Sequence, residues 1–294
     1  MAESLLEPRL RRRLDRLRLS VRRTLASGTR GERRSRALGS SIEFADFRPY
    51  QPGDDFRRVD WPAYARLDQL VVKQYADERD LSVHVLVDTS ASMGFGTPSK
   101  LEYARRVAAC VCYVALAGHD RLNLAGFADG AIASTCSARG RGRLPAVLDA
   151  LARLEAGGGT RLEAAVDQLL AHRPRKGVAI VIGDLLDPEG VRRPLAKLRH
   201  HGHDAVVLQL LAPDEVEPDL KGDLELTDAE GGPRVDLSVN SRALARYRER
   251  LVALLAERER TCRELGAAYV LARTDTPLEL LVARTLRERA ILEG

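Results

Sequence analysis

Three oxygen-bearing side chains, Asp88, Ser90 and Ser92, stand at alternate positions directly after the apolar run Val83-His84-Val85-Leu86-Val87. One carboxylate and two hydroxyls are hard ligands, suited to Mg²⁺, Mn²⁺ or Ca²⁺ rather than to zinc. Two other stretches end on oxygen as well. Thr160 follows Gly157-Gly158-Gly159, and Asp184 follows the run Gly177 to Gly183. The glycines tolerate the backbone angles that a loop needs to approach an ion closely. Asp88, Ser90, Ser92, Thr160 and Asp184 are therefore the candidate metal ligands. Ser and Thr at these places also fit helix capping, but capping does not account for Asp184.

These residues need elements that bring them together. Val83 to Val87 and Gly177 to Ile182 are rich in β-branched residues and read as strands buried on both faces. Helix patterns span about Ser99 to Ala117, Arg143 to Leu154, Leu162 to Leu170, 189–200 and Arg242 to Gly266. Ser99 three residues before Glu102 is a capping-box start. Arg121 to Phe127 alternates as a strand, Asp129-Gly130 turns, and Ala131 to Cys136 returns antiparallel. Strands are also expected at Ala205 to Leu211 and Tyr269 to Leu271, and a last helix over Pro277 to Ala290. This alternation predicts an α/β fold: a doubly wound, mostly parallel sheet with one antiparallel edge strand. Ligands bind such sheets at the carboxyl ends of the strands. Residues 213–239 break the rhythm and read as an inserted β-hairpin, with strands at Leu224 to Thr227 and Arg234 to Leu237.

The 294 residues are 45% hydrophobic and 30% charged, an ordinary globular composition. Cys110, Cys112, Cys136 and Cys262 show no paired spacing, which favours buried reduced thiols and a cytoplasmic location. The amino terminus shows no secretory pattern, because basic residues interrupt every apolar run. Net charge is +5, unevenly spread: twelve arginines against four acids give residues 1–37 a charge of +8, leaving −3 for the rest.

Within that basic arm, Leu6, Leu10, Leu14, Leu17, Val21 and Leu25 form one stripe of an amphipathic helix. The stripe fits packing on its own body, a protein partner, or a peripheral position on an acidic membrane such as the inner membrane. Nucleic acid has little support, because no aromatic residues interleave the arginines. Residues 38–80 contain the single Trp and the turn Pro52-Gly53-Asp54-Asp55, and their aromatic residues are expected to anchor the segment. Asp54, Arg57, Asp60 and Arg66 read as a structural ion-pair network rather than a catalytic set. The expected division is thus 1–37, 38–80 and 81–294.

A metal-dependent hydrolase or phosphatase using Asp88 is the competing reading. The chain has no nucleophile elbow G-x-S-x-G. A haloacid-type phosphatase needs a second Asp two residues after Asp88, where Ser90 stands. Gly94 to Lys100 imitates a phosphate loop but lacks the Gly before Lys, and Leu101 replaces Ser/Thr. Of the bases, His84 lies within a strand, and His119, His172, His200, His201 and His203 fall mostly at helix ends. His200-His201-x-His203 matches no structural zinc spacing and reads as a solvated helix terminus. No catalytic residue is expected.

The Asp88-x-Ser90-x-Ser92, Thr160 and Asp184 set resembles the metal-ion-dependent adhesion site of von Willebrand factor A domains. Arg48-Pro49-Tyr50-x-x-Gly53-Asp54-Asp55-x-Arg57-x-x-Asp60-Trp61-x-x-x-Ala65-Arg66 resembles the signature of the domain-of-unknown-function family 58, which joins it to a von Willebrand A-like domain. The likeness spans about Ser40 to the end. It implies that the hydroxyls of Ser90, Ser92 and Thr160 hold Mg²⁺ directly, while Asp88 and Asp184 act largely through waters. It also implies a partner, a MoxR-type AAA+ ATPase or its client, docking an acidic side chain. Neutral hydroxyls leave a bound cation under-neutralised, which is what makes a partner's carboxylate attractive. The function implied is a non-enzymatic, metal-dependent protein-binding module of adaptor or chaperone-like type.

Overall fold

Ser82–Asp88 is buried at all seven positions, as a mostly apolar strand between two helical layers must be. The computed structural model describes residues 5–19, 44–51, 56, 59–75, 81–186, 190–282 and 292–293. In chain order the elements begin with α1 (Pro8–Leu14), β1 (Arg18–Leu19), β2 (Phe44–Pro49), α2 (Trp61–Leu67), β3 (Val71–Tyr75) and β4 (Ser82–Asp88). Next come α3 (Lys100–Ala117), β5 (Arg121–Ala128), β6 (Ala131–Arg139), α4 (Leu144–Ala152), α5 (Leu162–Ala171), β7 (Val178–Gly183) and α6 (Arg192–His200). The series closes with β8 (Asp204–Leu211), α7 (Pro213–Val216), β9 (Gly222–Leu226), β10 (Val235–Val239), α8 (Ser241–Glu264), β11 (Ala268–Arg273), α9 (Leu278–Leu280) and β12 (Leu292–Glu293).

The central sheet runs β11-β8-β7-β4-β5-β6. Neighbours are parallel except β6, which returns antiparallel along β5. The fold is therefore mixed α/β with a mostly parallel central sheet and one antiparallel strand. Side-chain alternation divides the core in two. Val83, Val85 and Val87 share one apolar layer with Ile180, Ile182 and helices α3 and α4. Leu86, Ala179 and Val181 share the other with α5 and α6. Helix α3 is buried nearly all round, as its apolar composition requires. Its start is capped by the Ser99 hydroxyl, which accepts from the Glu102 amide at 3.1 Å.

The chain divides into two compact units, Met1–Leu25 with Leu81–Gly294, and Ala26–Asp80. In the larger one the described part of the leucine stripe packs into the unit's own core: Leu6, Leu10, Leu14 and Leu17 are all buried there, beside Leu5. Tyr113 of α3 donates its hydroxyl to Asp15 at 2.6 Å, and the Arg11 guanidinium lies over the Tyr113 ring. The continuous helix expected to Leu25 is not formed. Helix α1 ends at Leu14, and β1 pairs antiparallel with β12, so tertiary pairing overrides the helical period. Val21 and Leu25 lie outside the described residues. The last helix is likewise described only as α9, since 283–291 lie outside them.

In the smaller unit β2 and β3 pair antiparallel, with α2 between them in sequence. Asp60 caps α2, accepting from the Ala63 amide at 3.1 Å, and Arg66 donates to the Pro62 carbonyl. Both contacts are local to α2, and Asp54 and Arg57 lie outside the described residues. The aromatic residues pair locally, Tyr50 on Phe56 and Trp61 edge-on to Tyr64. Phe56 and Trp61 are largely exposed.

One further feature differs from expectation. His203 is buried rather than solvated, its ring edge-on to His84 at 5.2 Å. Burial and the neighbouring His84 push the His203 imidazole down to about 4. The four cysteines are free, and burial pushes the Cys110 thiol up to about 12. Among the described residues no helix is long and apolar enough to cross a membrane.

Candidate functional site

Strand β4 delivers Asp88 to the carboxyl end of the sheet, beside the end of β7. Gly183 makes that approach feasible: a Cβ there would lie 2.6 Å from the Asp88 Cβ. The chain then turns at Thr89, whose amide and hydroxyl both donate to the Phe127 carbonyl of β5 at 2.9 Å. A short 3₁₀ turn over Ala91–Gly94 follows.

Four of the five predicted residues form one hydrogen-bonded chain. The Ser90 amide donates to Asp88 Oδ1 at 2.9 Å, the Ser90 and Ser92 hydroxyls lie 3.1 Å apart, and Ser92 donates to Asp184 Oδ2 at 2.7 Å. Asp184 is held by several contacts. Its Oδ1 accepts from the Leu186 amide at 3.2 Å, and its carbonyl accepts from Gln209 Nε2 at 2.7 Å. Gln209 is oriented in turn by the Tyr269 hydroxyl. Leu185 takes a left-handed φ of 55°, a conformation costly for a bulky residue and held by these bonds.

Thr160 reaches the same end by a different route. The Gly157 amide donates to the Thr89 carbonyl and the Ala91 amide to the Gly158 carbonyl, tying the glycine loop to the Asp88 loop. Asp129 clamps the other side, its Oδ1 accepting from the Gly159 amide and its own amide donating to the Gly159 carbonyl. Gly158, with φ +74°, leaves room for that carboxylate, which a Cβ would strike. The Thr160 hydroxyl, however, donates to Glu230 Oε1 at 2.6 Å rather than to the serine chain.

Two charged groups dominate the electrostatics. Lys100, fully buried at the start of α3, donates to Asp184 Oδ2 at 2.7 Å and to Glu215 Oε1 at 2.5 Å. Burial alone would lower the Lys100 ammonium, but Asp184 and Glu215 override it and hold it above its usual value. Asp88 is the opposite case. Burial first, then the Asp184 charge, push its carboxyl up to about 7, against the lowering effect of the Ser90 bonds. Asp88 Oδ2 is buried and finds no hydrogen-bond partner among the described residues.

Sequence reasoning missed Lys100, Glu215, Glu230 and Asp129. In the sequence Lys100 stands at a helix start that imitates a phosphate loop, and its partners lie 84 and 115 positions away. Glu230 belongs to the hairpin turn, where a charged residue reads as solvated. Asp129 falls in a turn dipeptide with the same reading.

Comparison with known proteins places the sequence. The model of the family described as "Protein of unknown function DUF58" matches residues 46–260. The chain belongs to this family. An uncharacterized protein of Mycobacterium tuberculosis (strain H37Rv) is 34% identical over 297 residues, covering 98% of this chain and 93% of that one. A second relative, from Mycobacterium avium, is 31% identical over 129 residues, 44% of this chain and 75% of its own length. Among solved structures, BatB from Bacteroides thetaiotaomicron matches 71% of this DUF58 chain and 98% of its own, with 18% identity and a TM-score of 0.45. The pilus adhesin SpaC from Lactobacillus rhamnosus GG matches 72% of this chain and 31% of its own, with 11% identity and a TM-score of 0.41.

Proposed function

We propose that this DUF58 chain is a non-enzymatic, divalent-metal-dependent protein-binding module with a von Willebrand A-like site. The observation that carries this reading is the Asp88 carboxylate: buried, next to two hydroxyls, with one oxygen that no group among the described residues satisfies. A buried carboxylate oxygen without a partner is costly. A hard cation suits that oxygen and the oxygen donors around it. Among the described residues no three His, Cys, Asp or Glu side chains gather into a metal-holding group. The groups linked by hydrogen bonds are the Asp88 and Asp184 carboxylates and the Ser90 and Ser92 hydroxyls, whose oxygens are of the hard kind that such a cation prefers.

Ser90, Ser92 and Thr160 would hold Mg²⁺, or Mn²⁺ or Ca²⁺, and Asp88 and Asp184 would orient its surroundings. The bound ion would supply positive charge only partly neutralised by the protein, available to an acidic side chain of a partner. The residues do the positioning. Ser92 is turned by its bond to Asp184, which leaves its lone pairs facing away from that carboxylate. Lys100 neutralises Asp184 from the other side, so that carboxylate is already balanced before any ion binds.

The family resemblance supports a MoxR-type AAA+ ATPase or its client as the partner, with an adaptor or chaperone-like role. The experiment is affinity capture of such an ATPase by the full chain with and without Mg²⁺, against Ser90→Ala. Capture that needs both Mg²⁺ and Ser90 supports the reading. Equal capture in all arms refutes the metal-dependent mode.

A further inference from the structure

The inserted hairpin carries a carboxylate into the candidate site. Glu230 Oε2 accepts from the Thr160 amide at 3.0 Å, and Glu230 Oε1 accepts from the Thr160 hydroxyl at 2.6 Å. Both oxygens of one carboxylate are therefore held by one residue of the predicted ligand set. Glu230 also contributes to the negative field felt by Asp88, which puts it at the same end of the sheet.

The turn that presents Glu230 is organised for the task. The Glu230 amide donates to Asp228 Oδ1 at 2.9 Å, and the Gly231 amide donates to the Asp228 carbonyl. Gly231 takes a φ of +86°, open to glycine and strained for other residues. By contrast, the strands behind the turn hold little down. Every position of β9 and β10 is exposed except Leu224, half-buried, and Val239, buried. Leu226, Val235 and Leu237 keep 40%, 51% and 41% of their surface. A hairpin with no buried apolar face gains little from packing, so its seating depends on polar contacts at its tip and base.

We infer that Glu230 is the resident carboxylate of this site, an internal ligand that a protein partner must displace with an acidic side chain of its own. The inference rests on the reading of the site as a carboxylate receptor, but its contact with Thr160 stands without any metal. It specifies the partner's chemistry: a Glu or Asp projected from a turn, beside a surface able to cover Leu226, Val235 and Leu237. It also explains how a site built to bind carboxylates stays closed until such a partner arrives. A partner meeting the latched chain is weakened by the fraction of chains in which the tip is open.

The test uses the full chain, its Glu230→Gln variant and the double variant Glu230→Gln/Thr160→Val. The probe is a labelled peptide copying residues 224–237, added in trans with Mg²⁺. Amide exchange over 222–239 is followed in parallel. The expected result is faster exchange of the hairpin in Glu230→Gln and peptide affinity raised about tenfold or more over the natural chain, lost again in the double variant. Unchanged hairpin exchange, or equal peptide affinity in the natural chain and Glu230→Gln, overturns the inference. Calorimetric Mg²⁺ binding by the same proteins separates the two ideas. Peptide binding gained without any Mg²⁺ heat supports the internal ligand while refuting the metal. Mg²⁺ heat without a gain in peptide binding does the reverse.

Discussion

The Lys100 ammonium lies 2.7 Å from Asp184 Oδ2, and both side chains are fully buried. A buried pair of this kind adds little net stability over an apolar pair, but removing one partner leaves an uncompensated charge. Lys100→Met should therefore destabilise the chain by about 3–5 kcal/mol in urea denaturation. It should also enlarge the stabilisation by Mg²⁺, because Asp184 and Glu215 lose their fixed cation. A loss no larger than a surface substitution gives would contradict the role assigned to Lys100.

A second consequence concerns pH. His203 titrates at about 4 in the folded chain instead of 6.5, with burial the main cause and His84, His201 and Lys176 acting in the same direction. The unfolded chain then takes up the proton first. Stability from this group is complete above about pH 6.5 and falls as pH drops toward 4, by on the order of 3 kcal/mol. The neighbouring His84 is lowered too and adds in the same sense. His203→Phe should flatten the decline between neutral pH and pH ~4.5 in chemical denaturation. Identical declines in both proteins would locate the sensitivity elsewhere.

The buried leucine stripe makes its own prediction. Leu14 is completely inaccessible in the core shared with α3. Leu14→Ala should cost about 2–5 kcal/mol, the range for truncating a buried leucine. If the stripe instead served an external surface, the substitution would leave the melting temperature unchanged.

How much of this was legible in the sequence follows from where the information lies. Strands β4 and β7 declare themselves because a central strand buried on both faces is mostly apolar, and the carboxylates at their ends fall at the carboxyl edge of the sheet. The antiparallel β5–β6 return was equally clear from its Asp129-Gly130 turn. Helix α1 was overextended because its leucine period continues past Leu14, whereas β1 is set by pairing with β12 at the other end of the chain. Helix α2 was missed because its seven residues begin with Trp61-Pro62 and carry too little period to register. In the candidate site, Asp88, Ser90, Ser92 and Asp184 were readable from strand ends. Lys100 and Glu230 were not, since nothing local tells a charged residue which distant carboxylate or hydroxyl it will meet.

The central claim is that the Asp88 end of the sheet binds a divalent cation through its serine hydroxyls. The most direct test is calorimetric titration of the metal-stripped full chain with Mg²⁺, beside Ser90→Ala. One saturable site in the natural chain is predicted, with a stabilisation of about 2.7 kcal/mol at a hundredfold excess over the dissociation constant. Ser90→Ala should lose the heat while keeping its fold. No saturable Mg²⁺, Mn²⁺ or Ca²⁺ binding by the natural chain, or undiminished binding by Ser90→Ala, would contradict the account.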